Sequence, residues 1–433
     1  MTPAQAGGPW RADSLPEGSD RRLDVGKVPL SRSTLRERHP NLIPLYYAYV
    51  AFSNLSMVST VMGLYLEHVG FSLAGVGVLF GALQLVKTLL EVPTGFVADR
   101  FGSRASLIAA VALEMVGYAF MLVARGLPAM LCVMLVLAAA YTLTTGCATA
   151  IVADHLVARG REGELTRVSA VSRIVFYCCY GLSALAAGLL AEVGYALVFA
   201  LSIASLAGAL VCVLLMRDDR AGEKDGAPAA PVRALEAARY VAGCRPVLYY
   251  VLVEGAVAWS MVPVDDFYNN YLNGYFGVPL PAVSAVVAAQ FAVTSLAGLG
   301  SARLARRLGD DRVARLGPIA VVALFLAFSL CAEPRAAVAL YMGGLAAFCL
   351  VNPVRTKALN VALDPRYRVT TLSFASIAVS LLSAVSQPLF GWLSGILDMR
   401  LAMVALLATS LALLGAVNLA FSRTDLLQKE ARS

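Results

Sequence analysis

The stretch Gly95-Phe-Val-Ala-Asp-Arg-Phe-Gly-Ser-Arg-Ala-Ser-Leu107 decides the fold, because it places three charged residues between two long apolar runs. The connection is too short to form a domain. Its glycines lie where two helices can approach closely or where the chain can turn sharply. The sequence therefore predicts a short charged loop that joins two apolar helices. The residues of this loop that we single out are Gly95, Asp99, Arg100, Gly102 and Arg104.

Composition predicts a membrane protein. The chain of 433 residues is 59% hydrophobic and only 15% charged, and its mean hydropathy of +0.72 is far above that of a soluble protein. An apolar helix of about 20 residues is long enough to cross roughly 30 Å of hydrocarbon. Such runs predict twelve spans, near 42–68, 72–98, 104–125, 127–155, 167–192, 194–216, 246–275, 280–303, 312–332, 334–360, 369–395 and 398–422.

The predicted spans fall into two sets of six. Short matches at a nearly constant offset support a duplication, for example Leu45-Tyr-Tyr47 with Leu248-Tyr-Tyr250. The first residues carry no apolar core like that of a signal peptide, so we interpret them as a disordered tail. The expected organisation is a cytoplasmic tail at 1–41, a six-helix bundle at 42–216, a cytoplasmic linker at 217–245, a second six-helix bundle at 246–422 and a cytoplasmic tail at 423–433.

The basic residues predict the orientation, because Lys and Arg accumulate in cytoplasmic loops. They are concentrated in the N-terminal tail, the linker and every second loop, whereas the alternate loops hold only Arg125, Arg335 and Arg400. Both termini are therefore expected in the cytoplasm. The net charge of +7 is explained by this bias, so we expect no nucleic-acid partner.

The loop at 95–107 resembles the signature loop between helices 2 and 3 of the major facilitator superfamily of membrane transporters. Leu90–Gly95 and Tyr367–Ser373 resemble segments of its bacterial permeases, many of which are regarded as efflux proteins. The resemblance implies an all-α fold of two pseudo-symmetric six-helix bundles around a cavity that opens alternately to each side. It also implies a multi-pass monomer in the bacterial cytoplasmic membrane.

The resemblance gives the loop at 95–107 the role of a gate. Asp99 is expected to approach the N-terminal end of helix 11, near Val369, Thr370 and Thr371, when the cavity faces outward. Two features depart from the pattern of drug–proton antiporters. The fourth span lacks an intramembrane Arg, and the fifth span lacks a Gly-Pro pair.

Charges inside the predicted spans are candidates for function, because each costs a few kcal/mol at the bilayer centre unless it is paired or hydrated. Lys87 and Glu114 lie at similar depth in neighbouring antiparallel spans, which predicts a buried ion pair or a role in handling protons or substrate. Glu91 lies four residues after Lys87 and two before Pro93. It is either a local ion partner of Lys87 or a protonatable group that faces the cavity.

Span 7 carries three carboxylates, Glu254, Asp265 and Asp266. Adjacent acids in a desolvated site can exchange protons near neutral pH, so these three and Glu91 are the proton-coupling candidates. The alternative for the aromatic residues near the outer end of this span is an interfacial belt. Hydrogen bonds between helices or a place in the substrate cavity are expected of Asn54, Gln84, Trp259, Gln290 and Gln387.

The sequence predicts a secondary active transporter and no enzyme. It has no His and Cys cluster for a metal and no glycine-rich phosphate loop, so we expect no cofactor and an ion gradient as the driving force. The favoured function is proton-coupled efflux of a small amphipathic compound, with a small-molecule substrate, protons and the lipid bilayer as partners. The alternatives are proton-coupled or facilitated uptake of a small nutrient or metabolite and, from another class, an uncoupled lipid flippase or a transporter-like sensor.

Overall fold

The structure is a computed structural model that describes residues 42–216, 234–363 and 368–422. Every regular element in these ranges is a helix. Twelve helical segments of the described chain are long and apolar enough to cross a membrane. The predicted all-α fold with twelve spans is therefore confirmed. The tails at 1–41 and 423–433, and most of the linker, lie outside the described residues.

The first six spans are near-continuous helices. Span 1 is broken at residues 55–57 and span 4 at residues 145–146, where Gly146 adopts a positive φ of 77°. The helices are Leu42–Asn54 and Val58–His68 in span 1, Leu73–Phe101 in span 2, Ser103–Val123 in span 3, Leu127–Thr144 and Cys147–Ala158 in span 4, Leu165–Val193 in span 5 and Tyr195–Leu215 in span 6.

The last six spans follow a short helix, Ala234–Gly243, in the predicted linker. Span 8 is shorter than the predicted range 280–303, because the chain bends after Gly298 and continues as a basic helix that carries Arg303, Arg306 and Arg307. The helices are Arg245–Asn270 with a π-helical end at Tyr271–Tyr275 in span 7, Leu280–Gly298 in span 8, Ser301–Leu308 between spans, Asp310–Leu330 in span 9, Pro334–Ala362 in span 10, Arg368–Ile396 in span 11 and Met399–Ala420 in span 12.

Successive spans are antiparallel, so each set of six begins and ends on the same side of the bundle. We call the side that holds Leu42, Leu215, Arg245 and Ala420 the terminus side, and the opposite one the far side. Both sets pack through buried aliphatic and aromatic side chains that form one large core cluster. This packing holds the polar side chains described below at fixed heights in the membrane.

Close packing joins the two sets on the far side. Spans 2 and 11 approach so closely there that a Cβ atom built on Gly77 or Gly391 would lie within 3.0 Å of the backbone of the other span. Spans 5 and 8 meet in the same way, where Gly188 faces Leu280 and Ser284. Glycine permits these approaches because it has no side chain.

The terminus side is open by comparison. A Cβ on Gly95, in the terminus-side half of span 2, would meet nothing within 4 Å. Phe96 is 77% exposed and Phe101 is 65% exposed in the same half-helix. Among the described residues, the far side is therefore the more closely packed of the two sides.

Candidate functional site

A cavity of about 610 Å³ lies between the two sets of spans. Span 7 contributes both aspartates to its wall, and span 2 contributes Lys87. A polar cavity enclosed by membrane-spanning helices is the usual place for a transported solute and its coupling ion. The polar residues that line it include Thr60, Gln84, Lys87, Asp265, Asp266, Asn269, Gln290 and Gln387.

Asp265 and Asp266 present their carboxylates to this cavity. They lie twenty residues into span 7, which corresponds to about 30 Å of helix from the terminus side, and both side chains are exposed to the cavity. The Gln387 side-chain amide in span 11 donates a hydrogen bond to Asp266. Lys87 lies within electrostatic range of Asp266 but forms no ion pair with it. The structure thus brings together four of the residues singled out from the sequence.

The predicted ion pair between Lys87 and Glu114 is not formed in this structure. The Lys87 ammonium lies 5.9 Å from the ring centre of Tyr141, and Glu114 accepts a hydrogen bond of 2.9 Å from the Tyr118 hydroxyl. The hydroxyls of Tyr118 and Tyr141 are 3.4 Å apart, so two tyrosines occupy the space between the charges. Similar depth in neighbouring helices does not determine the direction in which each side chain points.

Glu254 forms an ion pair that the sequence did not indicate. Its carboxylate lies 2.5 Å from the guanidinium of Arg355, which is buried in span 10, whereas the side chain of Glu254 remains 42% exposed. Sequence reasoning did not single out Arg355, although it lies inside the predicted range 334–360. That position, two residues after Pro353, was the available signal.

The remaining polar candidates separate into several places. Glu91 is exposed near the terminus-side end of span 2 and forms no ion pair with Lys87. Gln290 accepts a hydrogen bond of 3.4 Å from Tyr341. Asn54 lines a second pocket in the first six spans. Trp259 donates to the Thr409 hydroxyl in span 12, at 3.1 Å, so its indole joins two helices.

The predicted loop between spans 2 and 3 is reduced to a turn at Gly102, which has a positive φ of 88°, because the helix of span 2 continues to Phe101 and that of span 3 begins at Ser103. Arg104 donates hydrogen bonds to the carbonyl oxygens of Val213 (3.2 Å) and Leu214 (2.6 Å) at the end of span 6. The guanidinium of Arg100 lies 5.7 Å from the ring centre of Phe101. The side chain of Asp99 lies outside the described part of the structure. Arg104 therefore joins the first turn of span 3 to the end of span 6, within its own set of spans.

Two asparagines of span 7 bind span 1 near the far side. Asn269 donates to the carbonyl oxygen of Thr60 at 2.9 Å, and Asn270 donates to the carboxylate of Glu67 at 2.6 Å. Both hydrogen bonds cross from one set of spans to the other. Sequence reasoning missed Glu67, whose signal was a charge inside the predicted span 42–68. These contacts strengthen the far-side closure.

Residues 47–368 match the family model of the Major Facilitator Superfamily. The chain belongs to this superfamily. The match covers about three quarters of the chain and includes the cavity residues of spans 1, 2, 7 and 8. No protein with a curated description matches the chain.

Solved structures of other transporters share the superfamily fold. The nucleoside transporter NupG has a TM-score of 0.76 at 15% identity, over 89% of this chain and 100% of its own. A bacterial homologue of the human lysosomal transporter Spinster, inward-facing and unoccupied, has a TM-score of 0.71 at 16% identity, over 90% of this chain and 98% of its own. A D-xylose–proton symporter has a TM-score of 0.64 at 13% identity, over 87% of this chain and 96% of its own.

Family membership and the twelve spans together define the class of protein. The chain is a multi-pass membrane protein and a secondary transporter of the superfamily type, and it is not an enzyme. The likeness to each solved structure lies below 20% identity and therefore concerns the fold alone. Substrate, direction and coupling ion must be argued from the cavity itself.

Proposed function

We propose that the protein exports a small amphipathic compound from the cytoplasm in exchange for protons, by alternating access. The observation that carries the proposal is the pair of carboxylates, Asp265 and Asp266, exposed to a cavity deep inside the membrane. A charged group at such a depth is costly, and it is retained where it binds a solute or a coupling ion. When the aspartate is protonated and neutral, the protein can change between its two states. When it is ionised, its interactions with neighbouring groups hold the protein in one state.

The proposed cycle alternates between two states. With both termini in the cytoplasm, the present structure corresponds to the inward-facing state, in which substrate enters from the terminus side. Opening of the far side, with rupture of the Asn269 and Asn270 bonds to span 1, would release substrate and expose the aspartates to protons. Lys87 lies within electrostatic range of Asp266, so a proton or a substrate cation that reaches Asp266 would compete with this ammonium group.

Glu91 and Glu254 are secondary candidates for the coupling site. Glu254 is already paired with Arg355, and a proton that binds it must break that ion pair. Glu91 lies near the open end of span 2, where water reaches it in the inward-facing state. The aspartate pair therefore ranks first.

Uptake of a small polar metabolite is the second candidate function. The cavity lining of amides, carboxylates and one ammonium group also suits a polar solute. Structural relatives include proteins named as a nucleoside transporter and as a D-xylose–proton symporter. Because their identity to this chain is low, they support uptake only as an alternative with the same fold.

Reconstitution in liposomes tests the proton coupling. We expect Asp265→Asn or Asp266→Asn to abolish substrate movement driven by an imposed pH gradient, while downhill exchange of substrate continues. Glu91→Gln tests the secondary site, and Glu192→Gln is the matched control because this exposed residue lies at the far end of span 5, away from the cavity. If both aspartate variants keep gradient-driven accumulation at the wild-type level, coupling through this pair is wrong.

A further inference from the structure

We infer that Glu114 and the tyrosines around it form a subsite that binds the positively charged group of an amphipathic organic cation. The inference rests on the proposed transport function, because it assigns the chemical class of the substrate. It concerns a second pocket, here called the side pocket, which lies within the first six spans and is lined by Tyr46, Tyr49, Asn54, Glu114, Tyr141 and Arg173, among others.

The side pocket has a volume of about 700 Å³, enough for a drug-sized group. Glu114 lies eleven residues into span 3 and therefore about 16 Å of helix from the terminus side. A smaller space of about 190 Å³ adjoins Glu114 and is also lined by Ser59, Tyr141 and Tyr180. These three residues line the central cavity as well. The side pocket is thus a branch of the transport cavity rather than a separate void.

The carboxylate of Glu114 has no cationic partner among the described side chains. Its hydrogen-bond donor is the Tyr118 hydroxyl, and Tyr141 separates it from Lys87. An ionised carboxylate inside a membrane protein is costly unless a positive charge or water compensates it. A cation that enters the pocket would supply the missing charge.

Arg173 lines the same pocket, but in the described structure it forms no ion pair with Glu114. Counted from the terminus side, Arg173 lies eight residues into span 5, or about 12 Å of helix, and Glu114 lies eleven residues into span 3, or about 16 Å. The carboxylate of Glu114 is hydrogen-bonded to the Tyr118 hydroxyl rather than to a cation.

Aromatic rings indicate an organic cation rather than a metal ion. Tyr46, Tyr49 and Tyr141 line the pocket together with Phe176 and Tyr177. Ring faces attract ammonium and similar cations, most strongly where water is excluded. A hard metal ion requires several oxygen ligands, and the described residues contain no group of three or more His, Cys, Asp or Glu side chains that could hold one.

Binding of tritiated tetraphenylphosphonium to the full-length protein in lipid nanodiscs tests the subsite without any transport step. We expect Glu114→Gln to weaken binding at least ~tenfold, because glutamine can still accept the Tyr118 hydrogen bond but carries no charge. Glu114→Asp should retain most of the affinity. Glu192→Gln, the exposed control, should bind as the wild type does. Triphenylphosphine oxide, a neutral aromatic comparator, should bind the wild type and Glu114→Gln equally well.

Three results would overturn the inference: no saturable binding to the wild type, unchanged binding to Glu114→Gln, or a larger loss in Asp265→Asn and Asp266→Asn than in Glu114→Gln. Thermal unfolding of each variant shows whether it is folded, and Glu114→Ala, which also removes the charge, carries the test if Glu114→Gln is not. The proton-coupling proposal fails or stands separately, because it is read from the response of the aspartate variants to a pH gradient.

Discussion

An alanine at Gly77 or Gly391 should drive the transporter out of the conformation described above. At either position the new Cβ atom would lie within 3.0 Å of backbone atoms of the opposite span, whereas ordinary contacts of a Cβ begin near 3.4 Å. Backbone cannot rotate away as a side chain can. Spans 2 and 11 must therefore separate by several tenths of an ångström to about 1 Å on the far side.

The energetic cost falls on one state only. Overpacking of this kind costs about 1–3 kcal/mol, and the far-side-open state avoids it because these helix segments are apart there. A cost of about 2 kcal/mol changes the ratio of the two states by roughly 30-fold. The substitutions should thus move most of the population toward the far-side-open state wherever the two states are within about 1 kcal/mol in the wild type.

Distances between spin labels across the two sets of spans measure this shift. Cysteines introduced at the exposed far-side positions His68 and Leu397, in a cysteine-free background, report far-side opening. Gly415→Ala is the matched control, because a Cβ on Gly415 meets nothing within 4 Å and the change in helix propensity is the same. If Gly77→Ala and Gly391→Ala give the same distance distribution as Gly415→Ala, the far-side glycines do not determine the closed state.

Three further results are expected. A cysteine at Asp225, in the predicted linker, should react with an impermeant reagent only after the cell is opened, and reaction in intact cells would reverse the orientation. Asp99→Asn should favour the far-side-closed state and slow transport while folding is retained, because it removes the anion that the N-terminus of helix 11 stabilises by ~0.3–1 kcal/mol in the outward-facing state. Unchanged spin-label distances would contradict the gating role of Asp99. Glu254→Gln should lower the free energy of unfolding by about 3 kcal/mol, because it leaves Arg355 buried without its partner. The double variant Glu254→Gln with Arg355→Met should recover part of this loss in thermal unfolding, and losses that simply add would contradict the coupling.

The number and order of the spans could be predicted because membrane helices are encoded by the length of apolar runs. A segment in hydrocarbon must satisfy its backbone hydrogen bonds within the protein, and a continuous apolar run of about 20 residues does so as a helix, so composition and length suffice. The end of span 8 could not be predicted as well. The apolar pattern blends there into a basic amphipathic helix, Ser301–Leu308, and the bend after Gly298 depends on local packing rather than on hydropathy.

The candidate site could be predicted in part. Counting residues along antiparallel helices gives the height of a side chain in the membrane, which is how the polar residues near mid-membrane were recognised. Counting does not give the direction in which the side chain points around its helix. Lys87 and Gln387 face the central cavity, whereas Glu114 faces the side pocket and Trp259 packs against span 12.

These directions change the charge balance that the sequence suggested. A pair of Lys87 with Glu114 would have left the aspartates of span 7 without a nearby cation. In the structure Lys87 faces Asp266, and the buried Arg355 takes Glu254 as its partner. The central cavity then holds two carboxylates against one ammonium group, and the carboxylate of Glu114 is hydrogen-bonded to a tyrosine hydroxyl rather than to a cation. The central cavity is thereby short of positive charge, which is the condition under which protons and organic cations compete for the same carboxylates.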